Sequence, residues 1–139
     1  MKPVRLLGID FGSKRVGLAL TDPLGITIQP LKYLTYASQN DLLDKIKSIA
    51  QEKDVQEIVL GLPRSLDGSV GPKGIECEKF SEKLKAGLNL PVHLQDESFT
   101  SRDAEEILIR DLNLSRQKRK EVKDSLSACL ILKFFLESR

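Results

Sequence analysis

The sequence lacks several residues that define common functional classes. The 139-residue chain has no tryptophan, only two cysteines and a single histidine. One histidine and two widely separated cysteines, Cys77 and Cys129, cannot supply the ligands of a structural zinc site. Both cysteines lie in segments of helical periodicity, so we expect small, buried thiols in a reducing compartment. Aromatic residues make up only 5%, too few to predict a stacking platform for single-stranded nucleic acid.

Long hydrophobic runs and nucleotide-binding motifs are also absent. No stretch approaches the roughly 18–20 apolar residues of a membrane span. The apolar run after Arg5 ends at Asp10 and is too short for a signal peptide. We therefore predict a cytoplasmic protein with no membrane partner. The sequence contains neither GxxxxGK[ST] nor GxGxxG, which disfavours a P-loop and a Rossmann cofactor site.

The charge of the chain is nearly balanced. Lysine and arginine together number 22 and aspartate and glutamate 20, which gives a net charge of +2. Charge alone therefore does not argue for nucleic-acid binding, and that case rests on specific sites. Hydrophobic residues make up 40% and charged residues 30%, the composition of a globular protein. The sequence contains no repeat or low-complexity linker, so we predict one domain over residues 1–139.

The hydrophobic pattern predicts three strands first and then an alternation of helices and strands. The strands are expected at 4–10, 16–21, 26–36, 57–62 and 91–95. The helices are expected from about 41, and over 73–87, 100–112 and 117–136. Tight turns join the first three strands into an antiparallel meander, and Pro30 places the third at an edge or bulge. The order predicts an α/β fold with a mixed sheet, parallel in its later part, with helices on both faces.

The sequence predicts one cap at the start of the first helix and one at the end of the second. Asn40 or Asp41 is expected to cap the first helix, because short polar side chains accept hydrogen bonds from the exposed N–H groups there. Gly87 is expected to end the second helix. Residues 63–72, rich in glycine, proline and serine, are expected to form a loop.

Three carboxylates lie at or near the ends of the predicted elements. Asp10 closes the first strand on the same face as Gly8, and Gly17 after it permits the close approach of a backbone or a phosphate. Glu97 follows the last strand, and Asp124 heads an apolar stripe on the last helix. Each acid alone also has an ordinary structural interpretation, as the end of a strand or as an acid near the positive end of a helix.

If these three acids converge, they form an oxygen site suited to Mg²⁺ or Mn²⁺. Two such ions about 3.5–4 Å apart can activate a water molecule and stabilise the leaving oxygen of a phosphodiester. The spacing along the sequence leaves the convergence itself open.

Basic residues occur after Asp10, before Asp124 and in the loop that follows the fourth strand. Lys14 and Arg15 lie in the turn after the first strand, and Arg64 lies in the loop after the fourth. Lys120 and Lys123 belong to a basic run at 116–123. Contact with phosphates is the functional interpretation of these residues, and a solvated surface is the alternative.

Four segments, in order along the chain, resemble the motifs of the YqgF family, whose members are described as Holliday junction resolvases or pre-16S ribosomal RNA nucleases. They are GIDFGSKRVG at 8–17, VLGLP at 59–63, the pair Asp96-Glu97 with Thr100 and Ser101, and Lys123-Asp124 with Ala128.

The resemblance implies a ribonuclease H-like fold with three layers, α/β/α, and a nuclease that matures the 5′ end of 16S rRNA. It also implies that Asp10, Glu97 and Asp124 are the catalytic acids and bind Mg²⁺ or Mn²⁺. The expected partners are structured RNA or branched DNA and the ribosome, and the expected state is a monomer or a homodimer.

Two positions depart from the family pattern. Ser98 stands where an arginine usually follows the Asp-Glu pair, and Arg102, one helical turn further on, is the hypothesised substitute for contacts with the nucleic acid. Ser127 stands where a second alanine is usual, a mild change in helix packing.

Three other functions remain open at this point. A resolvase of four-way DNA junctions would need two active sites and hence a dimer. A non-catalytic ribosome-associated RNA-binding factor would keep the fold without cutting. Residues 10–13 also resemble the phosphate loop of actin-like, sugar-kinase and Hsp70-type ATPases, but those proteins need two such lobes and this chain has room for one.

Overall fold

Five hydrophobic segments form the strands of one mixed sheet. The structure, a computed structural model, describes residues 4–11, 15–64, 67–97, 110 and 113–139. Its strands are β1 (Leu6–Phe11), β2 (Arg15–Thr21), β3 (Ile28–Thr35), β4 (Glu57–Leu62) and β5 (Val92–Asp96). They lie in the order β3-β2-β1-β4-β5. The first three are antiparallel neighbours, and β4 is parallel to both β1 and β5. The predicted meander and parallel second part are confirmed, and Pro30 lies on the edge strand β3.

Helices cover both faces of this sheet. They are α1 (Gln39–Glu52), α2 (Pro72–Leu88), α3 (Arg116–Val122) and α4 (Leu126–Glu137). The helix predicted over 100–112 lies outside the described residues, apart from residue 110. Helices α1 and α2 pack on one face and α4 on the other. The predicted α/β fold with three layers is therefore confirmed, and both cysteines are buried in helices, as expected.

The central strand β1 contributes to both layers because its side chains alternate between the two faces. Leu7 and Ile9 are fully buried against α1 and α2, and Leu6 is fully buried against α4. Asp10 lies on the α4 side of the same strand. The alternation therefore places the first predicted acid on the face that α4 covers.

The structure corrects two predicted helix caps. Ser38, and neither Asn40 nor Asp41, caps α1: its hydroxyl accepts from the Asp41 N–H at 3.1 Å, and the Asp41 carboxylate accepts from the Ala37 N–H at 2.9 Å. The reciprocal pair moves the start of the helix two residues earlier. Gly87 lies inside α2, and Asn89 ends it in the left-handed conformation at φ 57°, which asparagine tolerates.

The helix predicted over 117–136 is also interrupted. A 3-10 turn, Lys123–Ser125, separates α3 from α4. Neither proline nor glycine occurs here, so local sequence preference does not explain the break. Its cause is the contact between this turn and the sheet, described below. No helix of the described residues is both long and apolar enough to cross a membrane.

Candidate active site

The parallel strands bring two of the predicted acids to one edge of the sheet. Asp10 lies at the end of β1, and Glu97 directly follows β5. Between them lies the end of β4, where Leu62 pairs with Asp96 and its carbonyl accepts from the Glu97 N–H at 3.1 Å. The carboxyl ends of parallel strands form the usual binding edge of such a sheet.

Gly61 leaves the space in which the two carboxyl groups meet. A Cβ atom at this position would lie 2.6 Å from Cδ of Glu97 and 2.4 Å from Cδ1 of Ile131. The Glu97 side chain therefore folds across β4 toward Asp10. Burial, together with the hydrogen bond and negative charge of Asp10, raises the pKa of Glu97 far above its usual range. The two carboxyl groups therefore disfavour carrying a full negative charge each unless a cation lies between them.

A second glycine brings the third acid to the other side of Asp10. Gly17 of β2 pairs with Asp10 across the sheet. A Cβ atom at Gly17 would lie only 2.1 Å from the carbonyl oxygen of Asp124 and 3.2 Å from Cα of Ser125. The 3-10 turn thus rests directly on the strand that neighbours Asp10. The close backbone approach expected at Gly17 is confirmed.

Ser125 fastens this turn to the sheet. Its hydroxyl accepts from the Leu18 N–H at 3.1 Å and donates to the Leu31 carbonyl. Leu18 and Leu31 face each other across β2 and β3, beside an irregularity in their pairing between Val16 and Leu18. The hydroxyl therefore bridges the two strands where their ladder is disturbed. Ser125 is completely buried, and the bridge fixes the backbone next to Asp124.

Arg15 is the cation that meets Asp124. Its guanidinium lies 3.0 Å from Oδ2 of Asp124 and 4.7 Å from the centre of the Tyr33 ring. The Asp124 side chain is 37% exposed, so this acid at the head of a buried stripe is only partly desolvated. The helix α4 that follows is buried at six of its twelve residues, in agreement with the apolar stripe predicted on this helix.

The other predicted basic residues differ in their surroundings. Arg64 donates to Asp96 at 2.7 Å and to the Gly68 carbonyl at 3.1 Å, beside the acids. Lys120 on α3 and Lys123 on the 3-10 turn are exposed. Lys14 and Arg102 lie outside the described residues, as does Ser98.

The structure brings Asp10 and Glu97 into contact and places Asp124 on the adjacent turn, paired with Arg15. Within the described part of the chain, no three or more His, Cys, Asp or Glu side chains form a group that could hold a metal ion. The Asp10–Glu97 pair itself has the donor chemistry of a divalent-cation site. Two half-buried carboxyl groups are in contact, and a hard cation would neutralise both.

Three residues that shape this site escaped the sequence analysis: Gly61, Ser125 and Tyr33. A glycine within a strand that otherwise reads EIVLGL is a signal of close approach, and Gly61 could have been found in this way. Ser125 and Tyr33 carry no local signal, because their partners are distant in sequence.

A five-stranded mixed sheet in this order, covered by helices on both faces, defines a ribonuclease H-like α/β domain. The chain belongs to the RuvX (YqgF) family: the family model described as Holliday junction resolvase matches residues 4–138.

Relatives of similar length support the family assignment. A protein of Lachnospira eligens, named "Putative pre-16S rRNA nuclease", is 41% identical over 139 residues, which cover 98% of this chain and 99% of that one. A protein of Thermoanaerobacter pseudethanolicus with the same name is 38% identical over 136 residues and 98% of both chains.

Solved structures of two resolvases share the fold. RuvC of T. thermophilus, in complex with a Holliday junction substrate, superposes with a TM-score of 0.63 at 14% identity, over 97% of this chain and 96% of that one. The Fowlpox virus resolvase in complex with Holliday junction DNA also gives 0.63, at 12% identity, over 96% and 97%.

Proposed function

We propose that this protein is a metal-dependent endonuclease that hydrolyses phosphodiester bonds in the maturation of the 5′ end of pre-16S rRNA. The observation that carries the proposal is the contact between the carboxyl groups of Asp10 and Glu97 at the strand ends, with Asp124 on the neighbouring turn. The names of the curated relatives support the choice of substrate.

Asp10, Glu97 and Asp124 are the residues that would hold Mg²⁺ or Mn²⁺, two ions in the expected arrangement. When bound, such ions activate a water molecule and stabilise the leaving oxygen of a phosphodiester. The Asp10–Glu97 pair is the better-defined half of this site, because a divalent cation would relieve the repulsion between two carboxyl groups that are in contact.

The basic residues have separate tasks in this proposal. Arg15 holds the Asp124 carboxylate in place and is 56% exposed, so its guanidinium also reaches a phosphate. Arg64, anchored to Asp96, is expected to bind the backbone on the β5 side of the site. Lys14, Arg102, Lys120 and Lys123 are proposed as further phosphate contacts.

The test is cleavage of precursor 16S rRNA by the purified protein in Mg²⁺, in Mn²⁺ and in EDTA. We expect metal-dependent cutting that Asp10→Asn abolishes. The matched control is Asp44→Asn, which removes an exposed carboxylate on α1 and should cut at the wild-type rate. No cutting by folded wild-type protein in either metal would contradict the proposal and favour a non-catalytic RNA-binding factor.

Resolution of four-way DNA junctions is the second candidate, favoured by the family description and by the fold shared with RuvC. A resolvase must place two active sites on two-fold related strands and so acts as a dimer. Symmetric cutting of a junction by a dimeric species, with precursor rRNA left intact, would replace the rRNA proposal with this one.

A further inference from the structure

A groove lined by lysines runs beside the candidate active site, between the edge strand β3 and helix α3. Lys32 and Tyr33 of β3 form one wall, and Lys118, Lys120 and Val122 of α3 form the other. The groove encloses about 520 Å³, a size typical of ligand sites. Among the lining residues that the structure describes, the charged ones are all lysines.

The fold builds this groove from two simple features. Val122 is only 1% exposed and anchors the end of α3 to the body of the protein. β3 is the edge strand, so its outer side has no neighbouring strand in the described part of the chain, and Lys32 is exposed there. The basic run on α3 and the lysine on β3 consequently face one space.

Two of the three lysines of the groove carry positive charge that no ion pair offsets within the described part of the chain. Lys32 and Lys120 form no ion pair with any residue within the described ranges. By contrast, Lys45 of α1 pairs with Asp41 and Lys85 of α2 pairs with Glu82. Like charges that gather in a concave surface repel one another and attract a polyanion.

Tyr33 connects the groove to the acids. The ring lines the groove, and the Arg15 guanidinium lies over it at 4.7 Å. The same guanidinium reaches the Asp124 carboxylate at 3.0 Å. Arg15 therefore links the wall of the groove to Asp124, one of the three candidate catalytic acids.

We propose that this groove binds the sugar-phosphate backbone of the substrate strand next to the bond that is cut. Lys32, Lys118 and Lys120 contact phosphates, and the Tyr33 ring packs against a sugar or base. The inference rests on the proposed nuclease function and extends it, since it gives the path by which the nucleic acid enters, along β3 and α3.

The test measures binding separately from cutting. A fluorescein-labelled RNA stem from the 5′ end of precursor 16S rRNA, and a labelled four-way DNA junction, are titrated by anisotropy in EDTA at several KCl concentrations. The groove variant is Lys32→Gln/Lys120→Gln. The control, Lys47→Gln/Lys79→Gln, removes the same charge from exposed lysines of α1 and α2.

We expect the groove variant to lose at least about tenfold in affinity at moderate salt. Its salt slope should fall by roughly 1.4–1.8, because each lost phosphate contact contributes about 0.7–0.9. The control should stay within about twofold. Tyr33→Ala should weaken binding about tenfold and Tyr33→Phe should restore it, since the ring supplies the contact. The ligand whose affinity falls in the groove variant is the one the groove binds.

The outcomes separate this inference from the nuclease proposal. If the groove variant keeps the affinity and salt slope of the wild type, or if the control loses as much affinity, the proposal that the groove binds nucleic acid is wrong. If wild-type protein still cuts RNA, the nuclease function then stands alone. Binding that depends on the groove, without cutting in Mg²⁺ or Mn²⁺, would support the groove and refute the nuclease.

Discussion

The two faces of the sheet differ in how closely their helices approach the strands. On the side of α1 and α2, the three central strands present large side chains, among them Leu7, Leu18 and Leu60, all fully buried. On the side of α4, the same strands also bury Leu6 and Val59, but each of them contributes a glycine as well: Gly8, Gly17 and Gly61.

A Cβ at Gly8 would lie 2.6 Å from Cγ of Leu132 and 2.9 Å from the Ala128 carbonyl oxygen, so the backbone of α4 lies almost on the sheet. The first face derives stability from the apolar area it buries. The second uses close backbone approach to position Asp10, Glu97 and Asp124. Mutations in the core under α1 and α2 should therefore affect stability without altering the site.

The largest expected loss of stability is on the face with large side chains. Ile46→Ala removes a fully buried side chain of α1 and should lower the free energy of unfolding by about 2–5 kcal/mol. Urea denaturation measures this change. Because α1 lies on the face opposite Asp124, the cleavage rate per folded molecule should not change. A cleavage rate per folded molecule well below that of the wild type would show that the two faces are coupled.

On the glycine face, Gly17→Ala should reduce both stability and activity. The new Cβ would clash with a backbone carbonyl that cannot rotate away, and such overpacking typically costs about 1–3 kcal/mol. The turn carrying Asp124 must shift, so cleavage should fall more than the folded fraction. The control is Gly87→Ala in α2, where nothing lies within 4 Å and the helix should gain about 0.5–1 kcal/mol. Wild-type cleavage by a folded Gly17→Ala protein would remove the reason for assigning Gly17 to the site.

Ser125→Ala tests the hydroxyl bridge between the turn and the sheet. The Leu18 N–H would lose its partner inside the protein, at a cost of about 1–3 kcal/mol. Cleavage should fall as well, because Asp124 is the adjacent residue. Ser127→Ala is the matched control. Ser127 is only partly buried, so the unfolding curve of Ser127→Ala should overlay that of the wild type.

The smallest expected effect is a change in how fast the two buried thiols react in the native protein. Each face of the sheet is covered by a helix with one buried cysteine, Cys77 on α2 and Cys129 on α4. Burial raises the pKa of both thiols to about 12, so at pH 8 they stay protonated and unreactive toward a disulfide reagent. Denaturant should expose both. If the faces are independent, Gly17→Ala should accelerate labelling of Cys129 more than that of Cys77, which single-cysteine variants would resolve.

Local patterns in the sequence account for most of the secondary structure. The run EIVLGL predicts β4 at its observed bounds, and the spacing of the first three strands predicts their antiparallel meander. The strand-end positions of Asp10 and Glu97 follow from the same patterns. The predicted caps were wrong because several neighbouring residues could each end these helices. Ser38 accepts the hydrogen bond from the Asp41 N–H, and Asn89, two residues after Gly87, adopts the left-handed conformation.

Only the tertiary structure decided how the site is assembled. The last helix is broken at Lys123–Ser125. Two contacts hold this turn, from Ser125 to Leu18 and from Asp124 to Arg15, and each joins residues more than a hundred positions apart. The sequence by itself determined which segments are strands and helices, because periodicity along the chain matches the geometry of each element. It could not determine how closely Gly17 approaches Asp124 or Gly61 approaches Glu97. These distances depend on how separate elements pack in three dimensions. The lack of a side chain at a glycine matters only where another group occupies the space that the side chain would fill.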